Sequence, residues 1–465
     1  MSALRLRPSL SCVVLSAVAL LGFSPAIGQT SRSGADLIGG LLPEVVNLSI
    51  TRYEKTSAAA GNMTSQPSIK RGETQASGFI IDPSGLIVTN RHAVADAADI
   101  MVMLDDGTKL AGRMLAAAPQ SDIALLKVDA DRPLPSVRFG DSDELRPGDT
   151  VYVVGNPFGF GSTVTSGIVS ALDRDMPESG AGSFIQIDAA LNHSSSGGPV
   201  LDLRGDVVGI STALYSPAPE TGFVGIGYAI PVNDALFIIN QLRTQGHVRL
   251  GWIGGHLQPV SADIAAAVGL ATPTGSIVLD VGAGTPAAQA GLSAGDIILK
   301  IDNRTAPTPL IVNREIEQST IGSKVALTIW RAGGLHVLPV TVGESPADTD
   351  GPQTGAAAVQ QQVRAVDDDL GLVVGPITEE ISHRLGLTAV PSAGVAISRV
   401  MANSVAAEHG VVPGTLILNI DRQPVTSSAD VTHLIDAARR SGRGFILLLV
   451  EDQSGLHWVA LPLSA

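Results

Sequence analysis

Asn192-His193-Ser194-Ser195-Ser196-Gly197-Gly198-Pro199 lies between two apolar runs, Phe184-Ile185-Gln186-Ile187-Asp188-Ala189-Ala190 before it and Val207-Val208-Gly209-Ile210-Ser211 after it. A serine between a tight polar turn and two glycines has the surroundings a nucleophile needs. Glycine carries no side chain, so backbone and substrate can approach closely there. The turn can also aim backbone N–H groups at the place where an oxyanion forms. A Ser-Ser-Ser-Gly-Gly run by itself is mostly loop or linker. Two residues upstream, each in its own strand-flanked setting, change that reading.

The first is His92, in Thr89-Asn90-Arg91-His92-Ala93-Val94 at the end of an apolar run. Imidazole has the unperturbed pKa nearest neutrality, so it can take and return a proton. The second is Asp122, in Ser121-Asp122-Ile123-Ala124-Leu125-Leu126, directly before an apolar strand. A partly buried carboxylate there holds a histidine in the needed tautomer and stabilises its charged form. Ser196 completes the set, in the chain order His, Asp, Ser of the chymotrypsin-type barrels. Taken singly, a His is structural or exposed, and an Asp before a strand is a turn or capping residue. The three together predict a nucleophilic triad.

The 465 residues suffice for two to four domains, and 45% hydrophobic residues can fill substantial cores. A net charge of −14 argues against a general nucleic-acid binder. Arg5 and Arg7 precede an apolar run, Leu10–Phe23, that is short for a membrane span, and Ala26-Ile27-Gly28 precedes Gln29 as a small-x-small cleavage site. Residues 1–28 therefore read as an export signal. An uncleaved anchor is the alternative, and membrane contact is expected only in that case. The one cysteine, Cys12, falls inside this signal, so the mature chain is expected to have neither disulfides nor thiolate zinc sites. No metal and no cofactor is expected. No phosphate-cradling Gly-rich loop with a Lys is present, so no nucleotide site is expected either. An exported chain without covalent staples suits a bacterial periplasm.

Residues 29–76 form an N-terminal segment in which Pro43–Thr51 begins a strand-like run and Ser57–Thr74 reads as an exposed loop. From Gly78 short β-type runs recur, punctuated by turns such as Asp82-Pro83-Ser84-Gly85 and Asp105-Asp106-Gly107. Many short strands with turn signals predict an antiparallel barrel or sandwich rather than βαβ units. Asn233 reads as the N-cap of a helix over Asp234–Gln245 that Gly246 stops. This closes a first domain, 77–248, whose first strand can begin near residue 43. Beyond it lies a repeat: Ala287 aligns with Ala406 and Asp302 with Asp421, a constant offset of 119 without gaps. Two copies of one module, 249–343 and 364–465, are the simplest reading, joined by a Gly/Ala/Gln/Pro/Asp-rich linker over 344–363.

The chain resembles the HtrA/Deg trypsin-like serine proteases carrying PDZ domains. The resemblance rests on Ser77-Gly78-Phe79-Ile80-Ile81, Thr89-Asn90-Arg91-His92, Ser121-Asp122-Ile123-Ala124-Leu125-Leu126-Lys127, Phe139-Gly140-Asp141-Ser142, Gly155-Asn156-Pro157-Phe158-Gly159, Gly167-Ile168-Val169-Ser170 and Ser196-Gly197-Gly198-Pro199. It implies a mainly β fold, a chymotrypsin-like double β-barrel followed by two PDZ domains. It implies that His92 is the general base, that Asp122 orients it and that Ser196 attacks the peptide carbonyl. The oxyanion hole then uses the backbone N–H groups of Ser194 and Ser196. The family has Gly where this chain has Ser194, and a Cβ penalises unusual backbone conformations by about 1–2 kcal/mol. His193, three residues before Ser196, is read as a surface residue.

Ala190 stands where trypsin-like enzymes keep a pocket aspartate, so a basic P1 residue finds no counter-charge. With Ile210, Thr212 and Ala213, it predicts a small apolar pocket for Val, Ala or Ile. Tyr215–Val224 reads as a mobile loop over it. Each PDZ copy takes a peptide C-terminus by adding a strand to a sheet edge. The first carboxylate loop is Trp252-Ile253-Gly254-Gly255, facing a helix near Val312–Gln318; the second is Leu370-Gly371-Leu372, facing a helix near Asp430–Ala437. The second copy is weaker, because Thr415 replaces the acidic Asp296 and Asp367-Asp368-Asp369 repels a carboxylate. A domain or subunit contact is its alternative role. The function expected is ATP-independent cleavage of unfolded or misfolded exported polypeptides by a homotrimer or an assembly of trimers. A poorly cleaving peptide-binding chaperone and an anchored sensor protease are the rival readings.

Overall fold

The computed structural model of the chain describes residues 34–56, 68–156, 161–176, 182–192, 194–214, 222–346, 364–367, 369–385 and 394–463. The expected export signal, His193, most of the expected pocket loop and most of the expected linker lie outside the described residues. Among the described residues, no helix is long and apolar enough to cross a membrane.

After α1 (Gly34–Leu41), the first closed barrel comprises β1 (Val45–Thr56), β2 (Ser68–Asp82), β3 (Leu86–Asn90), β4 (Asp99–Met103), β5 (Lys109–Ala118) and β6 (Ile123–Val128), in the order β1-β2-β3-β6-β5-β4. The short helix α2 (Arg91–Val94) leaves the end of β3. The second barrel comprises β7 (Thr150–Gly155), β8 (Thr163–Arg174), β9 (Phe184–Ile187), β10 (Pro199–Leu201), β11 (Val207–Leu214) and β12 (Gly227–Pro231), in the order β10-β11-β12-β9-β8-β7. Alternation drives the closure. In β4, Ile100 and Val102 point inward while Asp99 and Met101 face out, as a period of two requires. Leu48, Ile80 and Leu126 fill the first interior, and Val153, Ile187 and Val208 the second. Phe79, Leu125, Leu201 and Ile210 join the two barrels into one seam.

The helix α3 (Val232–Gln245) packs Val232, Ile239 and Leu242 on that seam. It begins two residues earlier than expected. Pro231 holds the N-cap position, and the Asn233 side chain instead donates to Asp141 Oδ1 at 2.7 Å. Gly246 ends the helix with φ +77°, as its lack of a side chain allows. The expected loop over Ser57–Thr74 is too long, since β2 already begins at Ser68.

The repeat is structural as well as sequential. The first copy contains β13 (Gly251–Trp252), β14 (Gly255–Pro259), α4 (Ala262–Val268), β15 (Ser276–Val281), α5 (Pro286–Gln289), β16 (Ile297–Ile301), β17 (Arg304–Thr305), α6 (Pro309–Glu317), β18 (Lys324–Arg331), β19 (Gly334–Thr341) and β20 (Gly343–Glu344). The second contains β21 (Arg364–Asp367), β22 (Leu372–Gly375), α7 (Glu379–Arg384), β23 (Val395–Val400), α8 (Val405–Glu408), β24 (Leu416–Ile420), β25 (Gln423–Pro424), α9 (Ser428–Arg440), β26 (Phe445–Asp452) and β27 (Gly455–Pro462). Their sheets run β14-β15-β16-β18-β19 and β21-β22-β23-β24-β26-β27. The two expected groove helices are present as α6 and α9, each starting a few residues earlier than expected.

The copies pack on each other. Trp458 of β27 is 2% exposed, and its indole N–H donates to Val278 O at 2.9 Å. The Gln258 amide pairs with the Trp458 backbone in both directions, at 3.1 and 2.7 Å. The Asp296 carboxylate is wholly buried and accepts from Arg331 of its own copy and from Arg422 of the other, at 2.7 and 3.0 Å. A buried carboxylate persists only when it is paired and hydrogen-bonded, and here it pairs across the two copies. At the matching position Thr415 is buried with a hydroxyl that has no partner among the described residues. Asp296→Ala should therefore destabilise the paired copies by about 3 kcal/mol, the low end for a broken buried pair because both arginines keep solvent contact. Thr415→Val should cost under about 1 kcal/mol. Denaturant unfolding followed by tryptophan fluorescence distinguishes the two.

Candidate active site

The turn Pro119–Ser121 ends at Asp122, which sits at φ +51° just before β6. Its placement brings its carboxylate against α2. The backbone N–H of His92 donates to Asp122 Oδ1 at 2.9 Å, and His92 Nδ1 lies 2.7 Å from Asp122 Oδ2. A carboxylate only accepts, so Nδ1 carries the proton and Nε2 is left as the acceptor. Thr212 Oγ1 donates to the same Oδ2 at 2.9 Å. Burial pushes the Asp122 carboxyl up, but the His92 and Thr212 hydrogen bonds and the His92 charge outweigh it, and the group lies below the usual carboxylate range. Arg52 of β1 ties down the exit of α2, donating to His92 O, Ala93 O and Ala95 O at 2.9, 2.8 and 3.0 Å. The His92 ring is half exposed, which leaves Nε2 open to the cleft.

Ser196 approaches from the other barrel, on the turn between β9 and β10. Its hydroxyl donates to Thr212 O at 3.0 Å. Thr212 thus touches Asp122 with its side chain and Ser196 with its carbonyl. The Ser196 proton faces Thr212 in this state, so reaching His92 requires Oγ to turn about χ1. Ser194 adopts φ +76°, the left-handed region that a Cβ disfavours. Among the described residues, no acceptor takes the N–H of Ser194 or of Ser196. Gly197 is at φ +87°, and a Cβ there would strike Ser77 O and Thr89 Oγ1; one at Gly198 would strike Val154 O. Both glycines are therefore required by the approach of the turn to β2, β3 and β7.

A pocket of about 190 Å³ opens beside Ser196. Thr212 and Ala213 line it, together with Leu191, Ser211 and Leu214. Ala190 and Ile210 do not. Ala190 is exposed, and Ile210 is fully buried in the seam between the barrels, because the register shift of β10 against Val207–Gly209 breaks the alternation of β11. The sequence places Thr212 in the pocket alone. Its hydrogen bond to Asp122 crosses 90 positions of sequence, and no local pattern signals it.

A larger cleft of about 580 Å³ runs from His92, Asp122 and Phe237 to Leu257 of β14 and Leu310 and Glu317 of α6. Arg314 of α6 spans it, donating to Asp234 Oδ1 at 2.6 Å and Asp143 Oδ1 at 2.8 Å. Burial, and then the Asp234 carboxylate, push Glu317 up to about 7. The loop Trp252-Ile253-Gly254-Gly255 lies beside this cleft. Ile253 is buried, Gly254 is at φ +82°, and among the described residues no acceptor takes the N–H of Ile253 or Gly254. β14 is the outer strand of its sheet, and among the described residues one of its edges is unpaired. The second copy departs from expectation here. Leu372 pairs with Asp367 and Val374 with Arg364, so β21 already covers the edge of β22 that a peptide would join. β21 runs antiparallel to β22, enters the Leu370-Gly371 turn at its own end, and lies alongside α9.

The trypsin-like peptidase domain family matches residues 76–210, and the PDZ domain family matches residues 251–342. A protein of Brucella suis biovar 1 (strain 1330) named "Probable periplasmic serine endoprotease DegP-like" is 41% identical over 403 residues, 86% of this chain and 75% of that protein. One of the same name from Pseudomonas fulva (strain 12-X) is 35% identical over 462 residues, 92% of this chain and 93% of that protein. Solved structures of an HtrA-type protease AlgW, one with a tripeptide and one with a decapeptide, are 33% identical with TM-scores of 0.57 and 0.55. Each alignment covers 68% of this chain, and 98% and 99% of theirs. With two closed barrels, a PDZ-type module and these relatives, the chain belongs to the HtrA/DegP-like serine endoproteases.

Proposed function

We propose that the chain cleaves unfolded or misfolded exported polypeptides without ATP, with Ser196 as nucleophile, His92 as general base and Asp122 as its orienting partner. The observation that carries this is the pairing of His92 Nδ1 with Asp122 Oδ2 at 2.7 Å, which Thr212 of the second barrel reinforces from β11. Ser196 Oγ turns from Thr212 O to His92 Nε2, gives up its proton and attacks the scissile carbonyl. The His92 proton then passes to the leaving amine, and water repeats the cycle on the acyl-enzyme. The oxyanion is taken by the N–H groups of Ser194 and Ser196. The pocket beside Ser196 presents Leu191, Ala213 and Leu214 and no charge, which suits a small apolar P1 side chain.

The first PDZ-type copy receives a peptide C-terminus at the open edge of β14, with the N–H groups of Ile253 and Gly254 turned to the carboxylate. It faces the cleft that reaches His92, so a peptide there lies within reach of the catalytic groups. Export through residues 1–28 to the periplasm, and assembly as a trimer or multiple of trimers, complete the proposal. A chaperone that cleaves poorly is the second reading; the bond from Ser196 to Thr212 rather than His92 favours it.

A fluorophosphonate probe should label Ser196, and Ser196→Ala should abolish casein cleavage, a loss of at least about 10⁴-fold in kcat. Unlabelled Ser196 in an intact chain would establish the chaperone reading instead. Thr212→Val should lower kcat about 10-fold or more, since it removes a hydrogen bond to a charged group. In a fluorogenic P1 series, Val, Ala and Ile substrates should exceed Arg and Lys by at least about 10-fold in kcat/KM. A labelled peptide with an apolar C-terminal residue should bind the intact chain and lose binding in Gly254→Val, whose side chain meets Thr285 and Trp252. Fluorescence anisotropy reads the loss.

A further inference from the structure

We propose that Ser77 is a positioning residue that holds the oxyanion turn in its active shape. The inference rests on the reading of Ser194 and Ser196 as oxyanion donors. Ser77 lies in β2 of the first barrel and is fully buried. Its hydroxyl donates to Ser194 O at 2.8 Å, and its N–H donates to Ser196 O at 3.0 Å. The two residues whose N–H groups point at the reacting centre therefore both have their carbonyls tied to one residue of the opposite barrel. The hydroxyl also accepts the N–H of Asn156 at 2.9 Å. That donor fixes the direction of the hydroxyl proton, which leaves it pointing at Ser194 O. Ser77 O in turn accepts from Thr89 Oγ1 at 2.7 Å, so the β2 backbone at this residue is itself anchored.

The tie matters most at Ser194, which carries a Cβ at φ +76°. The cost of that conformation and the worth of one buried hydrogen bond are of the same order. Without the Ser77 hydroxyl, Ser194 relaxes toward negative φ. This rotates the peptide before it and swings its N–H off the oxyanion position. A glycine at 194 has no such drive, so the chain's dependence on Ser77 follows from its own departure at 194. Ser77 touches neither substrate nor His92; it acts through the turn.

The experiment compares the full-length chain with Ser77→Ala and with Ser77→Ala/Ser194→Gly. Steady-state cleavage of a fluorogenic Val-P1 peptide is measured with the rate of fluorophosphonate labelling. Ser77→Ala should lose about 10- to 100-fold in kcat, short of the 10²–10³ that removal of a whole donor costs, with KM within about 3-fold. Labelling should slow in step. In the double variant at least half of the logarithmic loss should return. Unchanged kcat in Ser77→Ala, a loss confined to KM, or no recovery in the double variant overturns the proposal. Where Ser77→Ala gives no cooperative unfolding transition, Ser77→Cys, which keeps the shape and weakens the donor, is held to the same outcomes. An unlabelled Ser196 in the unaltered chain overturns the triad reading first, and this inference with it.

Discussion

The candidate site depends on how closely the Ser196-Gly197-Gly198 turn packs against β2 and β3 of the first barrel and β7 of the second. Side chains at 197 or 198 would collide with Ser77 O, Thr89 Oγ1 and Val154 O, all of them part of strands that cannot recede without opening a barrel. That contact places Ser196 opposite β3, whose end launches α2 and with it His92. Position is thus decided by backbone packing between two rigid bodies, and the polar groups refine it. Interiors at near-crystalline density leave little room for such a turn to drift.

Electrostatics then act on a framework already in place. Asp122 is drawn in by the first N–H groups of α2, and Arg52 holds the carbonyls at the other end of the same turn. Cation at the C-terminus and anion at the N-terminus match the field of the peptide dipoles. The His92 hydrogen bonds and charge, with a smaller contribution from the Thr212 hydroxyl, hold the carboxyl below its usual range despite burial. The nearby cleft wall behaves differently, since Glu317 and Asp234 face each other in a half-buried setting and one of them retains its proton up to about 7.

Much of this was legible in the chain. Strand runs at even spacing, the turn glycines and the order of His92, Asp122 and Ser196 pointed to a barrel protease because each expresses a local rule. The 119-residue offset exposed two copies of a module, and their elements follow it from β15 and β23 to the starts of α6 and α9. What escaped was non-local or irregular. β5 bulges between Met114 and Ala116 and presents exposed Met114 and Leu115, so its alternation is broken. Ile210, expected in the pocket, lies in the seam between the barrels, past an irregular step in the β10–β11 ladder. Thr212 and Ser77 act across 90 and 117 positions, distances at which no sequence window carries a signal.

The strand β21 gives the second copy a property the first lacks. Its edge is occupied by a segment of the same chain, tethered through the short turn into β22. A tethered competitor acts at an effective concentration of millimolar order for so short a connection. A free peptide must outcompete that local supply, so modest affinities are masked until ligand is abundant or unusually complementary. On the proposed reading, the two modules share one topology and respond on different concentration scales, the first to scarce chain ends and the second only to a surplus.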